Sequence, residues 1–175
     1  MLRLMILLLI ALIVIVLIMA ALKPNRFRVS RSVNIQALPE KIFPHINNFR
    51  AWATWSPWEK IDPNCQRSYS GAESGVGAIY HWSGNKDVGE GSMGIVESIP
   101  SSKIVLNLDF IKPYEGHSKV EFLLAPQNDG TLVTQTMVGE SKFLQRLICM
   151  FINMDKMIGA KYEEGLASLK ATAEK

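Results

Sequence analysis

The spacing of hydrophobic and polar residues divides this chain into three parts. From Leu4 to Leu22 every residue is apolar, and as a helix this run spans about 28 Å, close to the hydrocarbon thickness of a bilayer. Between Phe27 and Val138, apolar and polar residues alternate in short segments, which is typical of strands with one buried face. From Phe143 to Leu169, apolar residues recur every three or four positions after Ser141, a residue that suits an N-cap. This last pattern predicts one helix of about seven turns.

The first part predicts a transmembrane anchor over residues 1–24, followed by one domain over residues 25–175. A cleaved signal peptide is the alternative, but its apolar core is usually about 7 to 15 residues long and ends in small residues. Here Ile18 and Leu22 occupy the sites where cleavage would need small residues. Arg3 precedes the run, whereas Lys23 and three arginines follow it. This balance favours the domain in the cytoplasm, on a bacterial inner membrane, although the arginines can equally belong to a folded strand.

The second part predicts a strand, a short helix and six more strands. Phe27 to Ile35 form the first strand, and Arg31 falls on its apolar side. Pro39 suits the first turn of a helix, whereas Pro44 removes a backbone donor in the second turn, so this helix is short or kinked. Turn residues then separate six strand-like runs, which predicts an antiparallel meander with one buried face. These runs are CQRSYS, GAIYHW, GEGSMGIVESI, KIVLNLDF, HSKVEFLLA and TLVTQTMV.

Together the elements predict an α+β fold, in which a curved seven-stranded antiparallel sheet wraps around the long C-terminal helix and one transmembrane helix precedes both. This arrangement buries the apolar faces of sheet and helix against each other. A strongly curved sheet and a straight helix cannot touch along their whole length, so a cavity between them is expected. Gly159 and Gly165 lie inside the helix, where each costs about 1 kcal/mol relative to Ala. Close approach to the sheet, or room for a ligand, should compensate.

Five motifs follow one another from Arg26 to Lys170: RSVNIQALPEKIFPHINN, WATWSPW, Asp62-Pro63, SGNKDVGEGSMGIVES and MDKMIGAKYEEGLASLK. In this order they resemble the START-like helix-grip superfamily (SRPBCC), in its polyketide cyclase/dehydrase and lipid-transport branch, with an N-terminal transmembrane anchor added. The resemblance implies a deep hydrophobic cavity between sheet and C-terminal helix, with Tyr80 and Trp82 facing inward. Where related sequences often carry Trp, this chain has Gln135, which makes the pocket more polar.

The predicted site is the wall of this cavity. Trp52, Trp55 and Trp58 recur every three residues, so they form either the core of a lid or, in part, the cavity wall. Arg31 is a candidate polar anchor, since a guanidinium on an apolar face needs an acceptor: Glu97, another structural acid, or the anionic group of a ligand. The predicted ligand-binding residues are Trp55, Trp58, Tyr80, Trp82, Met93, Leu106, Leu108, Phe122, Gln135, Met137, Met154 and Ile158.

Charge and cysteine content exclude several classes of partner. Of the 19 basic residues only Arg3 and Lys23 precede Pro24, and all 16 acidic residues follow it. The domain is therefore nearly neutral, and nucleic acid is not an expected partner. Cys65 and Cys149 lie in no metal-binding or redox motif, so we expect no metal and no organic cofactor.

The titratable residues do not predict an active site. Strand parity turns His81, His117 and Asp109 away from the cavity. No P-loop, dinucleotide fingerprint or nucleophile motif occurs in the sequence. No catalytic residue is therefore predicted, and enzymatic activity stays open.

The leading hypothesis is binding or transport of a hydrophobic, lipid-like small molecule at a membrane. A cyclase/dehydratase enzyme is one alternative, and a protein-interaction module whose pocket is filled by its own side chains is another. A void below about 100 Å³ would favour the filled module, given that ligand pockets usually measure about 300 to 1,000 Å³. Two ionisable groups within hydrogen-bond reach inside the void would favour the enzyme. The sequence identifies no protein partner.

Overall fold

A computed structural model describes residues 2–141, 143–148, 150 and 153–175. Its secondary structure follows the predicted order, with two short 3₁₀ helices after the second α-helix. The elements are α1 (Leu2–Leu22), β1 (Arg26–Ile35), α2 (Pro39–Asn47), the first 3₁₀ helix (Phe49–Thr54), the second 3₁₀ helix (Pro57–Lys60), β2 (Gln66–Gly71), β3 (Ala78–Ser83), β4 (Glu90–Ile99), β5 (Lys103–Lys112), β6 (Gly116–Gln127), β7 (Gly130–Glu140), α3 (Phe143–Ile148) and α4 (Met154–Ala173).

The seven strands form one antiparallel sheet in the order β1-β7-β6-β5-β4-β3-β2. Consecutive strands from β2 to β7 pair as a meander, and β1 closes onto β7 over its whole length. Two register shifts interrupt the pairing of β4 with β5, near Gly91 and near Val96, and such bulges bend a strand and increase its twist. The predicted α+β fold with a seven-stranded antiparallel sheet is confirmed.

One face of the sheet packs against α4 and carries the core. Ile104, Leu106 and Leu108 are buried on β5, and Val120, Phe122 and Leu124 are buried on β6, which confirms the alternation seen in the sequence. α4 packs against this same face and buries Tyr162, Leu166 and Leu169. The sheet and the helix thus bury their apolar faces against each other, as predicted.

The prediction of one continuous C-terminal helix is wrong. α3 ends at Ile148 and α4 begins at Met154, while Phe151, which the periodicity assigned to the helix, lies outside the described residues. Asn153 caps α4, because its side-chain oxygen accepts a hydrogen bond of 3.0 Å from the backbone N–H of Lys156. Asn favours such caps over helix interiors, which accounts for the new start. Apolar spacing of three and four continues across the break and therefore does not reveal it.

Both glycines of α4 lie where another element comes close. A Cβ on Gly159 would overlap the guanidinium of Arg31 from β1, and a Cβ on Gly165 would lie 3.0 Å from Cδ of Pro57 and 3.7 Å from Cζ3 of Trp55. Close approach of neighbouring side chains therefore compensates for the low helix propensity of glycine at both positions.

α1 is long and apolar enough to span a membrane, a property that signal sequences share. Of its residues only Ala20 is buried within the protein. α3 packs beside its carboxyl end, where Nη1 of Arg146 donates hydrogen bonds to the carbonyl oxygens of Ala21 (3.1 Å) and Lys23 (3.2 Å). Carbonyls at a helix end lack partners inside the helix, so Arg146 ties α1 to the domain.

Candidate ligand cavity

A cavity of about 930 Å³ lies between the inner face of the sheet, the second 3₁₀ helix and α4. Its deep wall consists of apolar side chains from three strands, including Met93 on β4, Leu106 and Leu108 on β5 and Met137 on β7. The volume falls in the range of about 300 to 1,000 Å³ that is usual for small-molecule sites. The structure therefore shows an open cavity and not a pocket filled by the protein's own side chains.

Most of the side chains predicted to bind a ligand line this cavity. Trp55, Phe122 and Arg31 do not lie among the lining residues. The ten predicted residues that the structure brings together around the cavity are Trp58, Tyr80, Trp82, Met93, Leu106, Leu108, Gln135, Met137, Met154 and Ile158.

The three clustered tryptophans divide between core and cavity. The indole N–H groups of Trp52 and Trp55 donate hydrogen bonds of 2.9 Å to the carbonyl oxygens of Ile46 and His45, and their ring centroids lie 4.8 Å apart. Phe122 meets both rings edge-on, at 5.9 and 6.1 Å. Trp52 also reaches the cavity, and Trp58 lines it while remaining 43% exposed. Trp55 and Phe122 thus belong to the aromatic core behind the wall.

Arg31 connects β1 to α4 and has protein partners for its charge. Its Nη2 lies 3.0 Å from Oδ2 of Asp155, and its Nε lies 2.6 Å from Oε1 of Glu163. The predicted partner Glu97 instead pairs with Lys103 at 3.1 Å. The acceptors of Arg31 are therefore structural acids of α4, and not Glu97. The hydrogen bond from Arg31 also lowers the pKa of the Asp155 carboxyl group.

A polar cluster interrupts the apolar wall, and Tyr80 is the only one of its members that the sequence predicted as a site residue. It consists of Glu59 on the second 3₁₀ helix, Arg67 on β2 and Tyr80 on β3, and all three line the cavity. The hydroxyl of Tyr80 donates a hydrogen bond of 2.8 Å to Oε1 of Glu59, and Nε of Arg67 lies 2.5 Å from Oε2. The side chain of Glu59 is only 13% exposed. We call these three residues the acidic cluster.

The surroundings fix the state of two members of the acidic cluster. Burial, followed by the hydrogen bond to Glu59, raises the pKa of the Tyr80 hydroxyl, so Tyr80 stays a protonated donor at neutral pH. Arg67 also donates hydrogen bonds to the backbone carbonyls of Cys65 (2.9 Å), Glu59 (3.1 Å) and Asp62 (3.3 Å). Its guanidinium is therefore committed to the protein on several sides.

A second polar pair lies on the side of the cavity next to α4. Gln135 and Tyr162 are both buried and both line the cavity, and Gln135 lies close enough to Tyr162 to affect the pKa of its hydroxyl. Burial raises the pKa of the Tyr162 hydroxyl, which keeps this group protonated as well. Gln135 was expected to make the pocket more polar, and it lies on the cavity wall beside Tyr162.

Three other titratable groups, His81, His117 and Cys65, lie outside the cavity, at its edge and in its wall, respectively. His81 is exposed and approaches Ser70 at 3.5 Å, and His117 is exposed at the edge of the cavity, where its Nδ1 lies 2.6 Å from Oδ1 of Asp109. Cys65 lines the cavity, and burial raises the pKa of its thiol. Among residues 2–141, 143–148, 150 and 153–175, no group of three or more His, Cys, Asp and Glu side chains is placed to hold a metal ion. The acidic cluster is thus the chemically distinctive feature of the wall.

No family model and no curated protein matches the chain by sequence, but solved structures resemble it. Protein CV1439 from Chromobacterium violaceum is 18% identical with a TM-score of 0.61, and the match covers 87% of this chain and 99% of that one. The Aha1 dimer from Colwellia psychrerythraea is 19% identical with a TM-score of 0.61, over 85% and 96% of the two chains. The di-domain ARO/CYC protein StfQ of the steffimycin biosynthetic pathway is 12% identical with a TM-score of 0.62, over 86% of this chain and 51% of that one. These likenesses show a helix-grip fold.

Proposed function

We propose that this protein is a membrane-anchored member of the START-like helix-grip superfamily that binds or carries a lipid-like molecule in its cavity. The observation that supports this function is a cavity of about 930 Å³ whose deep wall is apolar. Each 100 Å² of ligand hydrocarbon buried there contributes about 2.5 kcal/mol. α1 supplies the anchor, and the excess of basic residues after it favours the domain on the cytoplasmic side.

The acidic cluster favours a ligand with a polar group that donates hydrogen bonds. Each carboxylate oxygen accepts more than one hydrogen bond, so the oxygens of Glu59 that meet Tyr80 and Arg67 keep capacity for a ligand donor. A ligand carboxylate has no hydrogen to donate to Glu59, and the guanidinium of Arg67 that could offset its charge is already paired with Glu59 and with three backbone carbonyls. A long-chain or isoprenoid alcohol or amine is the class of ligand that fits.

Two measurements on the full chain in detergent test this function. The first is mass spectrometry of the lipids that co-purify with it from host membranes, where an apolar alcohol or amine is expected. The second compares two fluorescent probes with the same tail, pyrenedecanol and pyrenedecanoic acid, and tighter binding of the alcohol is expected. Leu108→Trp, which places a bulky ring in the cavity, should abolish binding, whereas Leu38→Trp on the exposed surface should not. Absence of both a co-purifying lipid and saturable probe binding would exclude the function.

A second candidate is an enzyme of the cyclase/dehydratase kind, and the acidic cluster is the observation that favours it. Glu59 and Tyr80 meet within hydrogen-bond distance inside a cavity large enough to fold a polyketide-like chain, which is the arrangement that proton transfer to a bound substrate requires. The test incubates the full chain with the compound recovered by mass spectrometry and follows loss of water or a change in its NMR spectrum. Turnover that Glu59→Gln abolishes would support the enzyme, and an unchanged compound would exclude it for that substrate.

A further inference from the structure

The register of the sheet places the entrance of the cavity at the end from which α1 emerges. Arg26, the first residue of β1, pairs with Glu140, the last residue of β7. At this same end, β5 and β6 meet where Phe110 pairs with Gly116, and β3 and β4 meet where Ser83 pairs with Glu90. The turns that project beyond these pairs contribute lining residues to the cavity, namely Asp87, Val88 and Tyr114. The cavity therefore opens at the end of the sheet beside the α1–β1 junction.

The end of α1 is itself part of this entrance. Lys23 and Pro24, which follow the helix directly, line the cavity, and so do Arg146 and Ile148 of α3. Arg146 donates to the last carbonyls of the α1 segment. Only residues 23–25 separate α1 from β1, and the four Cα–Cα steps from Leu22 to Arg26 span at most about 14 Å when fully extended. The entrance thus stays within that reach of the end of the apolar helix.

Several large apolar side chains at this end of the domain are exposed. Tyr114 in the β5–β6 turn is 64% exposed and Ile111 at the end of β5 is 50% exposed, while Ile148 of α3 and Met157 of α4 are also exposed. Single exposed apolar residues are ordinary on protein surfaces. Here Tyr114, Ile148 and Met157 line the opening of an apolar cavity that lies next to a helix suited to a bilayer, and Ile111 adjoins them on the outer face of β5. Tyr is a residue that favours the membrane–water interface. We call these four residues the rim.

We propose that the rim rests on the bilayer that α1 spans, so that a ligand passes between the lipid phase and the cavity without crossing bulk water. This inference rests on the proposed function, since it requires both the anchor and the binding of an apolar molecule. Its physical basis is that each methylene group kept out of water avoids the unfavourable hydration of apolar surface. The partner of this surface is thus the lipid of the protein's own membrane.

Labels at opposite ends of the sheet test where the rim lies. The full chain with Cys65→Ser and Cys149→Ser receives one cysteine, from Tyr114→Cys at the rim or from Asp129→Cys in the β6–β7 turn, and each is labelled with NBD. The twelve residues of β6 place the two labels about 40 Å apart. In phosphatidylcholine vesicles the label at position 114 should emit at shorter wavelength and be quenched by doxyl-labelled phosphatidylcholine, whereas the label at 129 should behave as in water. Equal, water-like emission from both labels would overturn the docking of the rim.

Transfer kinetics test the passage of the ligand. Pyrenedecanol is loaded into vesicles, and its transfer to full chain reconstituted in the same vesicles is followed for Ile111→Asp and for the matched control Ile99→Asp. Ile99 is 46% exposed and lies at the opposite end of β4 and β5, where it pairs with Lys103. A charge at the rim should slow transfer several-fold, whereas the control should transfer at the wild-type rate. Equal rates for the two variants would overturn passage through the rim.

Equilibrium binding in detergent separates the two proposals. If Ile111→Asp binds pyrenedecanol normally in detergent but takes it up slowly from vesicles, both the binding function and the route are supported. If wild-type chain binds no pyrenedecanol in detergent, the proposed function fails and the route of the ligand fails with it. The NBD labels still decide in that case whether the rim contacts lipid.

Discussion

Trp58 offers a quantitative test of whether the cavity wall binds a ligand. The ring lines the cavity and is 43% exposed, and a Trp side chain presents up to about 250 Å² in total, so about 100 Å² of it is accessible. A ligand that covers half of this surface buries about 50 Å², which contributes about 1.3 kcal/mol. Trp58→Ala should therefore weaken binding of pyrenedecanol about tenfold.

The measurement is a fluorescence titration of pyrenedecanol against the full chain in detergent. Leu38→Ala is the control, because Leu38 is an exposed apolar residue outside the cavity lining. Denaturant unfolding of both variants verifies that they are folded at the assay temperature. Equal dissociation constants for Trp58→Ala, Leu38→Ala and wild type would refute the assignment of Trp58 to a ligand-binding wall.

Three further predictions concern the core, the pH dependence and the thiol. Phe122→Ala should lower the free energy of unfolding by about 3 to 5 kcal/mol while folded molecules keep wild-type affinity for pyrenedecanol, since Phe122 lies behind the cavity wall; a large loss of affinity would contradict this placement. Because Arg31 lowers the pKa of Asp155, the pair should stabilise the fold above about pH 4 and lose this contribution as the pH falls through the lowered pKa. In Arg31→Gln the free energy of unfolding should therefore lack this decrease at acid pH. Burial raises the pKa of the Cys65 thiol, so alkylation of Cys65 at neutral pH, measured in Cys149→Ser, should be slow. Saturating pyrenedecanol should slow this alkylation further. An alkylation rate that pyrenedecanol does not change would place the probe elsewhere.

The sheet could be predicted from sequence because each strand carries its own signal. On β5, Ile104, Leu106 and Leu108 occupy alternate positions and all face the core, as a period of two requires. The C-terminal helix could not be predicted as well, because apolar spacing reports which face of a helix is buried and not whether the backbone is continuous. At Asn153 the backbone either continues the helix or starts a new one. The hydrogen bond that the Asn153 side chain accepts caps a new helix.

The cavity wall shows a similar division. Strand parity correctly indicates which side chains point inward, but it does not indicate how far along a strand the helices remain in contact with the sheet. Phe122 and Leu108 both point inward, yet Phe122 packs against tryptophan rings while Leu108 faces open space. The boundary between core and cavity depends on the curvature of the sheet and on the position of the 3₁₀ helices. Neither property has a local sequence pattern.

The acidic cluster as a whole was missed, although Tyr80 was predicted to line the cavity, because its members come from three separate elements, two strands and a 3₁₀ helix. Arg67 shares strand parity with Tyr69, and on the inner face of the sheet these residues pair with Trp82 and Tyr80 of β3, respectively. This parity is the signal that could have identified Arg67. Glu59 lies in a 3₁₀ helix of four residues, which is too short to show any periodicity. Its inward position becomes evident only when β2 and β3 are placed beside it.

The positions of the two polar groups suggest how a lipid would lie in the cavity. Tyr80 belongs to a row of paired residues that runs through Leu108 to Gly139, next to the end of β7. The carboxyl end of α1 lies at this same end of the sheet. Gln135 lies four residues farther along β7, about 13 Å deeper. A polar group held at Glu59 would therefore remain near the rim while the hydrocarbon tail extends inward along the apolar wall. If the ligand exchanges with the bilayer as proposed, its polar group would in this orientation pass the rim first and its tail would follow.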